Sequence, residues 1–205
     1  MASKLPRELP ALTYLGIEKH ILEPIEVEQL DELEVTIEHD WSGNFNLAGS
    51  GLLPRIIRVN VHDNSLIDPD NTGGGLFATD AVIWDRVEEL HLVFFNFNGD
   101  LPPIILRSLQ GDGENRIPRF PQLHCLTVRY FAEEDPEAPL PTKQQRVDQL
   151  LSIMRNRVAA GFPRFTRLEV GWHWGWDVRY LRVPFDGSLD ERMTEWRDCL
   201  TGIAA

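Results

Sequence analysis

A nine-residue pattern, apolar-x-x-apolar-x-x-apolar-x-apolar, recurs six times along this 205-residue chain and constrains its fold more than any other feature. The copies are Leu9, Leu12, Leu15, Ile17; Val27, Leu30, Leu33, Val35; Leu53, Ile56, Val59, Val61; Trp84, Val87, Leu90, Leu92; Phe120, Leu123, Leu126, Val128; and Phe162, Phe165, Leu168, Val170. In four copies a proline follows the first apolar residue: Pro10, Pro54, Pro121 and Pro163. The end of each copy alternates with period two, the pattern of a short strand with one buried face. Its first half repeats every third residue and turns toward the same core. Proline there removes a backbone donor and fixes φ, which suits the turn into a strand better than the strand itself. One such unit cannot bury its apolar side alone, whereas stacked units share a continuous core.

The copies begin at residues 9, 27, 53, 84, 120 and 162, so the returning segment lengthens along the chain. Short returns are extended or a single turn, and the longest can hold a helix. Thr142-Lys143-Gln144-Gln145 forms a capping box, followed by Val147, Leu150, Leu151, Met154 and Val158 at helical spacing, with Gly161 where a C′ glycine belongs. A second capping box, Ser188 with Glu191, opens a C-terminal helix with Leu189, Met193, Trp196 and Leu200 on one stripe. The other returns, including residues 68–75, 110–116 and 133–141, read as surface loops. Alternation continues past Trp172 through Trp174, Trp176 and Val178, the mark of an extended edge or a seventh strand. The expected architecture is a single α/β domain: a leucine-rich-repeat solenoid arc with short parallel strands, irregular returns and late helices. Its expected limits are a lead-in at 1–8, the degenerate repeats at 9–185 and a capping helix at 186–205.

The repeats at 120–128 (Phe-Pro-Gln-Leu-His-Cys-Leu-Thr-Val) and 162–170 (Phe-Pro-Arg-Phe-Thr-Arg-Leu-Glu-Val), with the helix at 150–157 ahead of Gly161, resemble the leucine-rich-repeat region of fungal F-box-like proteins. The resemblance spans roughly residues 9–185 and rests on degenerate motifs. It implies a horseshoe that holds a protein partner, the substrate-recognition part of a ubiquitin ligase subunit. An F-box is a helical module ahead of the repeats; here the first repeat starts at Leu9, and Leu5-Pro6-Arg7-Glu8-Leu9 runs into Pro10 and a strand-like segment. The resemblance therefore implies recognition without docking to the ligase adaptor.

Charge narrows the partner. The chain holds 20 Lys+Arg against 32 Asp+Glu, a formal net charge of −12. That balance disfavours nucleic acid, whose phosphates need clustered Lys and Arg, and anionic membranes. No apolar run reaches the ~18–20 residues that span a bilayer. The residues after Met1 lack the apolar stretch of a secretory signal, only Cys125 and Cys199 are present, and no Asn-x-Ser/Thr sequon occurs, all of which fit an intracellular chain, cytoplasmic or nuclear. Between Ile21 and Pro54 lie Glu23, Glu26, Glu28, Asp31, Glu32, Glu34, Glu38 and Asp40 with no Lys or Arg. The first repeats are thus an acidic end that favours a basic segment of a protein partner.

Residues flanking the paired apolar positions of each strand point away from the core. They define the candidate partner-binding residues Glu32, Glu34, Arg58, Asn60, His62, Glu89, His91, Arg129, Arg167 and Glu169. The alternative is a face that is merely solvated. Trp172, Trp174 and Trp176 share the parity of Leu168 and Val170, which favours core packing; the competing reading is an aromatic patch for a partner. No cofactor, metal or catalytic residue is expected. His124 and Cys125 are adjacent and face opposite ways, the Asp68-x-Asp70 run ends on Thr79 where a calcium loop needs Glu, and the glycines at 73–75 are not followed by Gly-Lys-Ser/Thr. Gly49-Ser50-Gly51 lacks the spacing of a nucleophile elbow. The expected function is accordingly non-catalytic, with a self-associating structural fragment, or one dependent on a further N-terminal module, as the alternative.

Overall fold

The computed structural model describes residues 14–17, 30–37, 53–62, 77, 83–95, 101–111, 118–132, 143–163, 165–174 and 177–184. These form one seven-stranded sheet and two helices in the order β1 (Tyr14–Ile17), β2 (Glu32–Ile37), β3 (Ile56–Val61), β4 (Glu89–Phe95), α1 (Pro103–Gln110), β5 (Cys125–Ala132), α2 (Lys143–Ala159), β6 (Arg167–Trp174) and β7 (Asp177–Pro184). The strands lie side by side in chain order. β1 to β6 are all parallel, and β7 returns antiparallel to β6. The α/β class and the short parallel strands are therefore as expected. The lead-in at 1–8, the helix at 186–205, the loops at 68–75 and 133–141 and the start of the first repeat lie outside the described residues.

Parallel strands in constant register stack like residues on like. Leu33, Ile57, Leu90, Leu126 and Leu168 form one row, and Val35, Val59, Leu92, Val128 and Val170 the next. Every member of both rows is at most 2% exposed. A third row joins Val61, Phe94 and Tyr130, whose last two rings stack at 5.6 Å. Burying each such side chain contributes roughly 1.5–3 kcal/mol, so these rows hold the sheet to its neighbours. The turn into the strand buries Leu30, Trp84, Val87, Phe120, Leu123 and Phe165 in the same core, as the three-residue spacing of the pattern requires.

The junctions repeat as closely as the rows. The carbonyl of Asp31 accepts from the N–H groups of Arg55 and Ile56, that of Arg55 from Glu88 and Glu89, that of Glu88 from His124 and Cys125, and that of His124 from Thr166 and Arg167. Asp31, Arg55, Glu88, His124 and Thr166 are thus equivalent positions in five successive units. This ladder corrects the third copy of the pattern. Its strand pair is Ile57 and Val59, two residues earlier than Val59 and Val61, and Leu53 is exposed. Pro54 then occupies the buried fourth position rather than the proline position shared by the other copies. A slip of two preserves parity, so Arg58, Asn60 and His62 stay on the face assigned to them.

Both helices lie on the core side. α1 lies in a return expected as a loop: Pro103 sits at its first turn, where a missing N–H costs nothing, and Ile104, Ile105, Ser108 and Leu109 are buried. Ser108 Oγ donates to the carbonyl of Ile104 within α1 at 2.8 Å and reaches that of Phe77 at 3.1 Å. α2 follows the expected stripe at Leu150, Leu151 and Met154, but its buried face also takes Ile153, Arg146 and Arg157, while Val158 is only half-buried. The side chain of Val147 and residue Thr142 lie outside the described set. Gly161 does end the helix, at φ +82°, with Phe162 N–H donating to Arg157 C=O and Gly161 N–H to Val158 C=O, the paired bonds of a Schellman cap.

Candidate functional site

A parallel sheet ordinarily has both faces covered and reads as continuous apolar strands. Here the strands alternate, and both helices join the core face. Among the described residues no helix covers the other face, and all ten candidate residues lie on it. Their register forms three rows: Glu32, Ile56, Glu89, Cys125, Arg167; Glu34, Arg58, His91, Thr127, Glu169; and Thr36, Asn60, Val93, Arg129, Gly171. A fourth row joins one candidate, His62, to two rings outside the candidate set, Phe95 and Phe131. His62 stacks on Phe95 with centroids 4.1 Å apart and planes 7° apart, and Phe95 stacks on Phe131 at 4.7 Å and 17°. His173 is the register partner of Phe131. His62 is exposed, and both phenylalanines are half-buried. The signal was present in the sequence as an aromatic or imidazole side chain three residues after the second strand residue of successive units.

The charges of this face pair across strands. Arg58 Nε bonds Glu32, Asn60 donates to Glu34 at 2.7 Å, Thr127 Oγ1 donates to Glu169 at 3.2 Å, and Arg167 bonds Glu89 at 2.6 Å. Beside them Arg55 links Asp31 at 3.0 Å to Glu88 at 3.3 Å, tying three units through exposed side chains. Such exposed pairs contribute little each, about 0–1 kcal/mol. The acidic β2 end is therefore not bare carboxylate: Glu32 and Glu34 are each engaged by the strand next to them.

His91 departs from expectation most. It lies on the face expected to point away from the core, yet it is only 9% exposed. Neither ring nitrogen has a hydrogen-bond partner, and Nε2 stands 3.6 Å from Glu89. Burial, reinforced by the guanidiniums of Arg58, Arg167 and Arg129 against the single opposing pull of Glu89, pushes its pKa down to about 4. The ring is neutral at pH 7. Since the unfolded chain takes up this proton near 6.5 and the folded one near 4, stability is lost as pH falls from 6.5 toward 4. Between pH 7 and 5 this should remove about 2 kcal/mol in the wild type. A His91→Gln variant should lose that component of the slope, checked by denaturant unfolding at the two pH values.

Trp172 and Trp174 fall on β6 at the parity of Leu168 and Val170, but their side chains, and all of Trp176, lie outside the described residues. β6 ends at Trp174, which pairs with Asp177 at the start of β7, so the alternation past Trp172 corresponds to the expected seventh strand, which runs antiparallel to β6. Among the described residues no cluster of His, Cys, Asp and Glu could hold a metal, and no helix is long and apolar enough to cross a membrane. Cys125 is a buried free thiol with Sγ 3.7 Å from Thr166 Oγ1. Comparison of the chain with models of protein families, with curated proteins and with solved structures found no match.

Proposed function

We propose that this chain is a non-catalytic protein-interaction module: a leucine-rich-repeat arc of the kind that serves F-box ubiquitin ligase subunits in substrate recognition, acting in the cytoplasm or nucleus. The observation that carries the reading is the face opposite the helices. Five parallel strands, β2 to β6, present mostly polar, charged and aromatic side chains in register there, while the buried apolar core is on the other side. Arrays of this sort offer a partner many parallel contact points at fixed ~4.8 Å spacing. A basic segment of the partner fits the β2 end, where Glu32 and Glu34 stand two residues apart on one strand. The stacked rings of His62, Phe95 and Phe131 add an aromatic row beyond the charged ones.

The test is affinity capture from source cells with the wild type, a Glu32→Lys/Glu34→Lys variant and an Arg155→Glu variant on the exposed side of α2. Loss of a specific protein by the face variant alone supports the reading. Equal capture by all three would refute the face as the binding surface.

A further inference from the structure

The ring ladder along the far row of the open face ends at His62. Phe95 has a ring on each side, Phe131 and His62, whereas His62 is exposed and, among the described residues, stacks on Phe95 alone. Because His62 follows β3 and Phe95 belongs to β4, the second face of the imidazole looks toward the β2 side. Its plane is only 7° from that of Phe95, so the ladder offers a flat surface at its end. The surrounding charge selects what lies there. The chain from Ile21 to Pro54, which contains β2, has eight acids and no Lys or Arg, and residues 55–62 set only Arg55 and Arg58 against them. Arg55 is joined to Asp31 and Glu88, and Arg58 to Glu32. Glu34 Oε1 accepts from the neutral amide of Asn60 at 2.7 Å, and that same nitrogen stands 3.4 Å from Thr36 Oγ1. The Glu34 carboxylate thus leans toward the row next to that of His62. A neutral ring would stack there and leave the charge unmet, while a lysine ammonium would answer the charge without matching the flat face. A guanidinium does both, since it is planar, stacks on aromatic faces and forks onto carboxylates.

We infer that an arginine of the basic partner segment lays its guanidinium on the open face of His62, adding one rung to the ladder, with its charge directed to Glu34. The inference rests on the proposed binding role and deepens it: at the β2–β3 end the partner is read by an arginine contact, and the aromatic row tells arginine from lysine. Phe95 and Phe131 act behind His62 by holding its ring flat.

The test uses the full chain at low ionic strength, titrated with acetylated hexaarginine and hexalysine amides and followed by NMR. Hexaarginine should bind about fivefold more tightly than hexalysine, with its Hδ protons shifted upfield and in nuclear Overhauser contact with the His62 ring. His62→Phe should keep the preference. His62→Leu, which covers Phe95 without offering a ring, should abolish it, and both variants should melt close to wild type. Glu34→Gln should weaken hexaarginine binding with the His62 ring contact retained. Equal affinity for the two peptides, binding of neither, or a preference that survives His62→Leu would overturn the inference; partner capture that still depends on the face would then leave the binding role standing. A His62-dependent preference for hexaarginine with face-independent capture would instead refute the binding role, and the partner's arginine contact with it.

Discussion

Replacing Arg157 by methionine is expected to lower the unfolding free energy by about 3 kcal/mol, and replacing it by lysine should be no milder. The guanidinium is fully buried at the end of α2. Its Nη1 donates to the carbonyl of Leu109 at 2.9 Å, and its Nη2 reaches those of Phe120 at 2.9 Å and of Pro121 and Leu123 at 3.3 Å. The rings of Phe162 and Phe165 lie 5.6 and 5.5 Å from its central carbon. One side chain thus ties the last turn of α1, the turn into β5 and the next repeat to α2. Burial pulls its pKa down to about 10, so the cation persists at neutral pH and the carbonyls must offset its desolvation. Methionine fills the volume but strands those oxygens. Lysine keeps the charge on a single ammonium that cannot span carbonyls set around a planar fork. Denaturant midpoints with an unchanged slope would check this, and a lysine variant near wild type would show that charge, not fork geometry, holds the junction.

Nothing in the sequence marks Arg157 as buried. It sits in the run Arg155-Asn156-Arg157, which reads as a solvated helix end, and the carbonyls it meets come from segments 34 to 48 residues away. α1 was hidden for a different reason. Pro102-Pro103 reads as punctuation, although proline at a first helical turn starts a helix as readily as it ends one. The strands were legible because their evidence is redundant: spacing, alternation and the same apolar rows recur unit after unit. The face of each candidate residue followed from parity alone and survived the two-residue slip in β3. The burial of His91 did not follow, since it depends on which side chains stand laterally beside it, on Arg58 and Arg129 from other strands. Of the aromatic row only His62 belongs to the expected array, which on β4 and β5 stops one row short of Phe95 and Phe131.

The register of β3 is also open to direct measurement. Ile57→Ala should cost about 2–5 kcal/mol, while Leu53→Ala should stay within about 0.5 kcal/mol of wild type. The repeat pattern read from spacing assigns these residues the opposite importance, with Leu53 as a core position and Ile57 outside the pattern. That misreading was possible because Ile56, Ile57, Val59 and Val61 supply apolar residues for two registers, and Leu53-Pro54 imitates the apolar-proline opening of other copies. The backbone decides between them. Asp31 C=O takes both Arg55 and Ile56 N–H, which places Ile57 beside Leu33 and Leu90 in the buried row and leaves Leu53 40% exposed. Removing Ile57 opens a cavity between two leucines of adjacent strands, where parallel backbones on both sides prevent collapse. Leu53 is not part of the buried core, so its truncation opens no core cavity. Equal losses from the two substitutions would mean that β3 pairs two residues out of this register; parity would still keep Arg58 on the open face, but it would no longer stand beside His91.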